Sequence, residues 1–370
     1  MAMLCKAIFI YFVFINFTLC QITQSRKPLV SFGELQELKL DDKLGGVEDI
    51  EVDQLGNGGF LVGNQHSVAR ISPSLKVDIL AGQESETSFG DGPGHFAYFG
   101  IVRDLVQINN GSDIIIADLT NNCIRKVERR SGLHPQVSTF VGECRTRGHV
   151  SDPVSPSDAK LTRPLKLLHI PEENIFYYLL DGVILKHNLT SNLISLMYKD
   201  LDFFIGAYTI LMDSQNRYMY VNHAGGVSKF DTRSANWTKV LVAGLPHSNW
   251  RQLVDGTLPR ARFGQLTGMV WLIQDQVLLV CDYRSALRVV NLEDNEVSTI
   301  CKCQHGRSRK FITGGLDKCQ VDSPLTAKVI DGLIYIGESS IHTDGHILTL
   351  TYCEFNTQYT RVVKKVTPVV

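Results

Sequence analysis

The chain has 370 residues, of which 44% are hydrophobic, so it is long enough to bury a sizeable core. Its 37 Lys and Arg residues nearly balance its 38 Asp and Glu residues, giving a formal net charge of −1. Such a balance creates no overall field that would hold the chain on nucleic acid or on an anionic membrane. Composition therefore indicates an ordinary globular protein and argues against these two classes of partner.

The first twenty residues differ from the rest of the chain. A positive charge at Lys6 precedes the almost entirely apolar run of residues 7–19, and a polar stretch opens at Cys20-Gln21. This order is typical of a secretory signal peptide. The apolar run is too short to cross a hydrocarbon core of ~30 Å. We predict a signal peptide at residues 1–20 and a secreted mature protein, residues 21–370, without a membrane span; the alternative is a buried N-terminal strand.

The segments that follow have the pattern of β-strands. Residues 32–40 (FGELQELKL) alternate between apolar and polar side chains, as an edge strand does. Residues 46–82 contain short apolar runs separated by Gly, Asn and Asp. The same composition continues along the chain, and no stretch of ten residues shows helical periodicity. The sequence therefore predicts an all-β fold.

A long-range repeat is the strongest internal signal. Asp91-Gly92 is followed by an Ala and a Phe at the same spacing as Asp255-Gly256, 164 residues later. In both copies an apolar run ending in Asp, a basic strand and the tripeptide Val-Ser-Thr come next. These features are Asp118, residues 124–127 and residues 137–139 in the first copy, and Asp282, residues 287–290 and residues 297–299 in the second.

Weaker versions of this unit fill the remaining chain and give six units in total. They are residues 46–82, 91–142, 160–198, 207–244, 255–300 and 311–355. A four-stranded sheet of this length cannot bury both faces alone, whereas radial stacking buries each sheet against its neighbours. We predict one domain, a six-bladed β-propeller of four-stranded antiparallel blades, with the segment 32–40 covering an open edge. Several independent β-sandwiches are the alternative, but they would not require the same connector.

The unit resembles the NHL repeat, and the resemblance is specific in two of the six units. Matching residues are Asp91, Gly92, Ala97, Phe99, Ala117, Asp118, Asn121, Asn122, Ile124, Arg125, Lys126, Val137, Ser138, Thr139 and Gly142, and Asp255, Gly256, Ala261, Phe263, Asp282, Arg288, Ser298 and Thr299. We interpret these residues as architectural: the Asp accepts backbone N–H groups, the Gly takes a positive φ, and Asp118 pairs with Arg125. The resemblance implies a propeller fold and leaves the ligand open.

The cysteines and glycosylation motifs agree with an oxidising, extracellular compartment. Seven of the nine Cys residues follow the signal peptide, so at least one is unpaired or bridges to another chain. We predict the disulfides Cys123–Cys144 and Cys303–Cys319. Three Asn-x-Ser/Thr motifs predict N-linked glycans on loops or strand edges, at Asn110, Asn188 and Asn236.

A ligand site is expected at the mouth of the central channel, near the start of each innermost strand. Glu48-Asp49 resembles the Glu-Asp pair at the calcium site of paraoxonase-like propellers, but calcium needs six to eight oxygens from several blades. The equivalent place in the second unit holds Arg103, so a Glu48–Arg103 ion pair is the alternative to a metal. A zinc site like that of the NHL-type amidating lyase would need three equivalent His residues, which the units lack. RNA binding would need a basic face, and the only dense cluster is residues 307–310.

We therefore predict a secreted glycoprotein that acts without catalysis, as a propeller that binds an extracellular protein or glycan and could belong to the extracellular matrix. No cofactor and no nucleic acid are expected. The alternative is a secreted calcium- or zinc-dependent hydrolase or lyase with its site in the channel.

Overall fold

The structure is a computed structural model of the chain, and it describes residues 30–354 apart from short gaps. The gaps are residues 41–43, 56–57, 84–87, 131–133, 152, 202–207, 246–252, 284–285, 303–312, 317–318, 320, 322 and 341–342. The predicted signal peptide and the basic cluster 307–310 lie outside the described residues. Where the chain is described, it contains no helix with the length and apolar character that a membrane crossing requires.

The strands form six antiparallel sheets, and in each the chain meanders through three or four consecutive strands, which confirms the predicted six-bladed β-propeller. The N-terminal strand is β1 (Val30–Glu37). Blade 1 contains β2 (Val47–Val52), β3 (Phe60–Asn64), β4 (Ser67–Ile71) and β5 (Val77–Gly82). Blade 2 contains β6 (Gly92–Pro93), β7 (Val102–Ile108), β8 (Asp113–Asp118), β9 (Cys123–Glu128) and β10 (Gln136–Val141). Blade 3 contains β11 (Pro164–Ile170), β12 (Ile175–Leu180), β13 (Val183–Asn188) and β14 (Leu193–Lys199).

The second half of the chain repeats this arrangement. Blade 4 contains β15 (Ile210–Met212), β16 (Tyr218–His223), β17 (Gly226–Asp231) and β18 (Lys239–Gly244). Blade 5 contains β19 (Gly256–Thr257), β20 (Gln265–Ile273), β21 (Val277–Tyr283), β22 (Ala286–Asn291) and β23 (Glu296–Lys302). Blade 6 contains β24 (Pro324–Ile330), β25 (Leu333–Ser340) and β26 (Thr343–Glu354). Blades 2 and 5 gain a fifth, two-residue strand because the Asp-Gly connector pairs with the outer strand.

The N-terminal strand closes the ring. β1 pairs antiparallel with β26 and becomes the outer strand of blade 6, so chain segments from both ends complete one sheet. Phe32 lies opposite Tyr352 in this pairing. The edge of β26 is therefore covered, as expected from the alternating pattern of residues 32–40.

Apolar side chains between neighbouring blades form the core. Between blades 1 and 2, for example, Leu61, Phe99 and Ile114 are fully buried in one cluster. Between blades 5 and 6, Leu279 and Ile334 share another. Removing each such side chain from water contributes about 1.5–3 kcal/mol. Strands buried on both sides, such as β8, explain why apolar runs replace strict alternation in the sequence.

The repeat residues form a buried clamp in blade 2. The guanidinium of Arg125 donates to Asp91 and, at 3.1 Å, to Asp118, which ends β8. Asp91 also accepts hydrogen bonds from the backbone N–H and hydroxyl of Thr139, each 3.2 Å long. The adjoining Gly92 has φ 126°, a conformation open to glycine. The predicted Asp118–Arg125 pair and the architectural interpretation of this motif are thus confirmed.

Blade 5 contains the second copy of the clamp. Arg288 donates to Asp255 at 2.8 Å, and Asp255 accepts from the N–H and hydroxyl of Thr299. Arg288 lies 3.7 Å from Asp282, farther than the corresponding pair in blade 2. The spacing of the repeat therefore reflects which residues must lie in contact around one buried guanidinium.

One predicted disulfide is present and the other is wrong. Cys123 and Cys144 are bridged, with their Cα atoms 4.9 Å apart. Cys319 is bridged to Cys301, not to Cys303, and the Cα atoms of this pair are 5.6 Å apart, within the range that a disulfide needs. Cys301 and Cys303 occupy alternate positions, so the sequence pattern does not distinguish them; the buried position of Cys301 beside Cys319 does. Cys303 lies outside the described residues.

Among the described side chains, Cys281 is the unpaired cysteine. It is fully buried in the core between blades 5 and 6, and burial raises the pKa of its thiol. A buried, protonated thiol is a poor nucleophile. Bridging to a second chain through Cys281 is therefore excluded by its burial.

Candidate functional site

The six innermost strands line the central channel and start at the same end of it. They are β2, β7, β11, β15, β20 and β24, each of which neighbours the next around the ring. Five of them have a bulge near their start, seen as register shifts after Val47, Val102, Pro164, Leu266 and Pro324. A bulge re-aims side chains and is frequent beside functional sites. We call this end of the channel the mouth.

Two bulged residues form an ion pair at the mouth. The guanidinium of Arg103, in blade 2, donates to the carboxylate of Glu48, in blade 1. Their side chains are only 8% and 10% exposed. Burial raises the pKa of Glu48 and the charge of Arg103 opposes that rise. The structure therefore brings together the two predicted channel-mouth residues, as an ion pair.

Aromatic and amide groups from the far side of the ring complete the mouth. The Cζ atom of Arg103 lies 5.1 Å from the ring centroid of Tyr208, in blade 4. The hydroxyl of Tyr208 accepts a hydrogen bond of 2.8 Å from the amide of Gln265, in blade 5. Asn222 fixes the backbone at this point, because its carbonyl oxygen accepts the N–H groups of Tyr208 and Thr209. Four blades thus contribute to one polar surface.

Below the mouth, charged side chains line the channel. The ammonium of Lys166 donates to Asp104 and lies 3.5 Å from Asp49. Farther along, the ammonium of Lys328 donates to Glu51. We call these five residues the channel network. Its members come from blades 1, 2, 3 and 6, so the network links four blades across the axis.

Backbone and hydroxyl groups hold the two aspartates. Asp49 accepts a hydrogen bond of 3.1 Å from the hydroxyl of Thr326, and Asp104 accepts one of 2.7 Å from the N–H of Leu167. On the opposite side of the ring, Thr209 donates to the carbonyl of Thr267. Hydrogen bonds between adjacent innermost strands therefore tie together most of the ring at this level.

The electrostatics of the channel network keep both lysines charged. Burial alone lowers the pKa of Lys166, but the carboxylates of Asp104 and Asp49 outweigh it and raise that pKa above its usual value. The pKa of Asp49 is lowered, since Lys166 and Lys328 outweigh burial. The pKa of Asp104 is raised well above its usual value by burial and then by the charge of Asp49.

The predicted metal candidates already have cationic partners from the chain. Glu48 is paired with Arg103, and Asp49 lies between Lys166 and Thr326. In the ranges that the structure covers, no group of three or more His, Cys, Asp or Glu side chains is placed to hold a metal ion. The lysine ammoniums thus stand where a channel cation would be expected.

The predicted glycosylation sites lie away from the mouth. Asn110 is in the turn between β7 and β8, Asn188 ends β13, and Asn236 is in the turn between β17 and β18. Asn110 and Asn236 are exposed, whereas Asn188 is half-buried and its side-chain oxygen accepts two backbone N–H groups of its turn. These three residues do not share a cluster with Glu48 and Arg103.

Sequence reasoning missed Glu51, Lys328 and Gln265. A signal existed for the first two, because Glu51 follows Asp49 by two residues and Lys328 follows Thr326 by two. Alternate residues of a strand share a face, so both pairs point into the channel. Gln265 has no such signal, since its role depends on the position of Tyr208 in another blade.

Comparison with known proteins supports the fold. No model of a known protein family matches the chain, and no curated protein matches it. An auxiliary nutrient binding protein from Bacteroides thetaiotaomicron is similar in structure, with 14% identity, a TM-score of 0.64, and coverage of 87% of this chain and 77% of that one. A luciferin-regenerating enzyme has 9% identity, a TM-score of 0.54, and coverage of 86% and 95%.

A streptogramin B lyase is a third similar structure, with 10% identity, a TM-score of 0.51, and coverage of 87% of this chain and 98% of that one. At these identities the similarity establishes the fold only. The names of these three similar proteins indicate different functions, so one fold serves more than one function among them.

Proposed function

We propose that the protein is a secreted glycoprotein that binds an extracellular protein or glycan across the mouth of its channel, without catalysing a reaction. The observation that carries this proposal is the polar mouth itself. Glu48, Arg103, Tyr208 and Gln265 come from four blades and form one connected set of polar groups above a channel lined by paired charges.

The chemistry of these residues suits recognition. An Arg held by a carboxylate and an aromatic ring is pre-organised, so little side-chain entropy is lost when a ligand contacts it. Arg and Tyr are also the residues that dominate binding energies at interfaces. The carboxylate, amide and phenol around them offer both donors and acceptors, which are the groups that read hydroxyls or backbone amides.

Two further features support an extracellular setting. Disulfides persist in oxidising compartments, and the chain has two among its described residues. The N-terminal pattern of residues 1–20 is typical of a secretory signal. An extracellular matrix component is one form that such a binding module takes.

The proposal is tested by screening the labelled mature protein against glycan and secreted-protein arrays. Arg103→Ala and Tyr208→Ala should each weaken a hit by at least about ten-fold, because they remove the cationic and the aromatic side chain of the mouth, the residue types that dominate binding energies at interfaces. Arg217→Ala is the matched control, since Arg217 forms a partly exposed pair with Asp231 at the end of blade 4 away from the mouth. Equal binding by all three variants would contradict the proposal.

Metal analysis separates this proposal from the hydrolase or lyase alternative. The purified mature protein should contain no stoichiometric calcium or zinc, since Lys166 and Lys328 supply the positive charge of the channel. Stoichiometric metal whose removal by a chelator lowers stability would favour the enzyme instead.

A further inference from the structure

The direction of the strands gives the disc two chemically different faces. Every innermost strand starts at the mouth, so the turns between second and third strands also lie on that side, which we call the mouth face. The turns between first and second strands, and between third and fourth strands, lie on the opposite face. Contacts at both levels confirm the common direction: Glu48 meets Arg103 at the strand starts, and Gln107 meets the Val52 carbonyl at the strand ends.

All three glycosylation motifs fall on the opposite face. Asn110 lies between the first and second strands of blade 2. Asn188 and Asn236 lie between the third and fourth strands of blades 3 and 4. An N-linked glycan is bulky and hydrated, so occupied motifs would cover this side of the disc.

The mouth face carries the two disulfides and none of these three motifs. The disulfide Cys123–Cys144 joins the start of β9 to the segment after β10, and Cys301–Cys319 joins the end of β23 to the connector that follows it. Both bridges therefore lie on the mouth side and fix the residues that they join. Residues held in place before binding reduce the entropy cost of association.

The channel network also determines how a ligand can approach. Because Lys166, Lys328 and their carboxylate partners line the channel below the mouth with paired charges, a ligand that lies across the mouth is favoured over one that enters the channel. A partner that gains its affinity from such a surface must spread over the surrounding loops. A folded protein does so with about 800 Å² of its own surface.

We infer that the partner is a protein that docks flat on the mouth face, and that N-linked glycans at Asn110, Asn188 and Asn236 keep the opposite face free of contacts. This inference rests on the proposed binding function and adds the orientation and the class of the partner. A glycan chain as the ligand is the competing outcome of the test.

The test places a new glycan on the mouth face. His149→Asn creates the motif Asn-Val-Ser at an exposed residue. The neighbouring Gly148 carbonyl accepts a hydrogen bond from Thr162, whose own carbonyl accepts the N–H of Asp181 in the mouth-side turn of blade 3. The matched control is the double variant His149→Asn, Ser151→Ala, which has the same Asn without the motif.

A second variant makes the result independent of one loop. Gln65→Asn creates Asn-His-Ser in the turn between β3 and β4, where the Gln65 carbonyl accepts the N–H of Val102 beside the mouth. The converse variant replaces Asn110, Asn188 and Asn236 by Gln. Each protein is secreted from cultured cells, and glycopeptide mapping establishes which Asn residues are occupied.

Proteins that co-purify with each variant are quantified against the wild type. We expect the triple Gln variant to bind the same partner protein as the wild type. The His149→Asn and Gln65→Asn glycoforms should bind at least ten-fold less of it. Enzymatic removal of the new glycan should restore binding. The Ser151→Ala control should bind as the wild type does. The inference is overturned if both glycoforms still bind the partner, or if the triple Gln variant no longer binds it. It is also overturned if no protein co-purifies with the wild type, or if Asn110, Asn188 and Asn236 all carry no glycan.

Arg103→Ala separates this inference from the proposed function. If Arg103→Ala abolishes binding while both mouth-face glycans have no effect, the mouth is the site but its ligand is small, and only the inference fails. If the glycans block binding while Arg103→Ala has no effect, the face is right and the proposed site at Glu48–Arg103 fails.

Discussion

Replacement of Arg125 by Met should destabilise the propeller more than any other single change in the repeat motif. The Arg125 side chain is fully buried and donates to two carboxylates and to the carbonyls of Gly90 and Tyr98. Its guanidinium also lies 4.8 Å and 5.3 Å from the ring centroids of Phe89 and Phe99. Met fills similar space but leaves these acceptors without their donor.

The loss of stability depends on which carboxylate is left buried without a cationic partner. The Asp118 side chain is fully buried, and after the substitution it keeps only Asn121 and the N–H of Gly100 as donors. Asp91 is 41% exposed and can be solvated. Removing one partner of a buried ion pair costs about 3–5 kcal/mol, so we expect Arg125→Met to lower the free energy of unfolding by that amount.

The second clamp provides an internal comparison. Arg288 lies 3.7 Å from Asp282, and its Nε atom has no hydrogen-bond partner among the described residues. Arg288 makes one hydrogen bond to a carboxylate, whereas Arg125 makes three. Arg288→Met therefore loses two fewer charge-assisted hydrogen bonds than Arg125→Met, and its cost should be smaller by at least about 1.5 kcal/mol. Urea denaturation followed by Trp fluorescence measures both, with Arg217→Met as the surface control.

Three results would refute this reasoning. The first is an Arg125→Met cost equal to that of the surface control. The second is a larger cost for Arg288→Met than for Arg125→Met. The third concerns the double variant Arg125→Met, Asp118→Asn, which should recover part of the loss because the stranded charge is gone; a double variant that is less stable than Arg125→Met would show that the buried charge is not the cause.

Three further predictions follow from the same contacts. Burial raises the pKa of Asp53, but the guanidinium of Arg129 outweighs it and holds that pKa below its usual value. The ionised carboxylate therefore stabilises the fold above about pH 4, and this contribution is lost as the pH falls through the folded-state pKa; Asp53→Asn should flatten the acid limb of a plot of unfolding free energy against pH. Lys166→Met should cost about 3–5 kcal/mol, and added calcium should raise the melting temperature of that variant but not of the wild type. Peptide mapping without reduction should give a linked Cys301–Cys319 peptide, and a Cys319 peptide linked elsewhere would contradict the fold of that connector.

The repeat could be predicted from the sequence because its contacts are confined to one blade and its connector. Asp91, Asp118, Arg125 and Thr139 surround one guanidinium, and the same set at the same spacing recurs around Arg288. A fixed geometry demands fixed residue types at fixed intervals, and such intervals are visible in a single chain. The closing strand was predictable for a similar reason, since its alternation follows from one face that packs against the core, as Phe32 does, and one face that is exposed.

The channel network could be predicted only in part, because its contacts join residues of different blades. Lys166 meets Asp104 of the preceding blade, and Thr326 meets Asp49 across the closure of the ring. These contacts do not follow from the spacing of residues within the chain. They depend on which residue of each innermost strand lies at the same level along the channel axis. The error at Cys303 has a related origin, since residues 301 and 303 are two positions apart and the sequence pattern alone does not distinguish them.

These two kinds of residue separate architecture from recognition. The clamp recurs in blades 2 and 5 with the same residue types, as a structural role requires. The bulged position at the start of the innermost strand instead differs in charge between blades, with Glu48 in blade 1, Arg103 in blade 2 and Leu165 in blade 3. The blades repeat one fold, but the residue at this bulged position differs from blade to blade, so the ring is not symmetric at the mouth. Because Glu48 and Arg103 pair with each other at that position and Arg103 lies over the ring of Tyr208 across the channel, the proposal assigns binding specificity to the mouth and not to the motif.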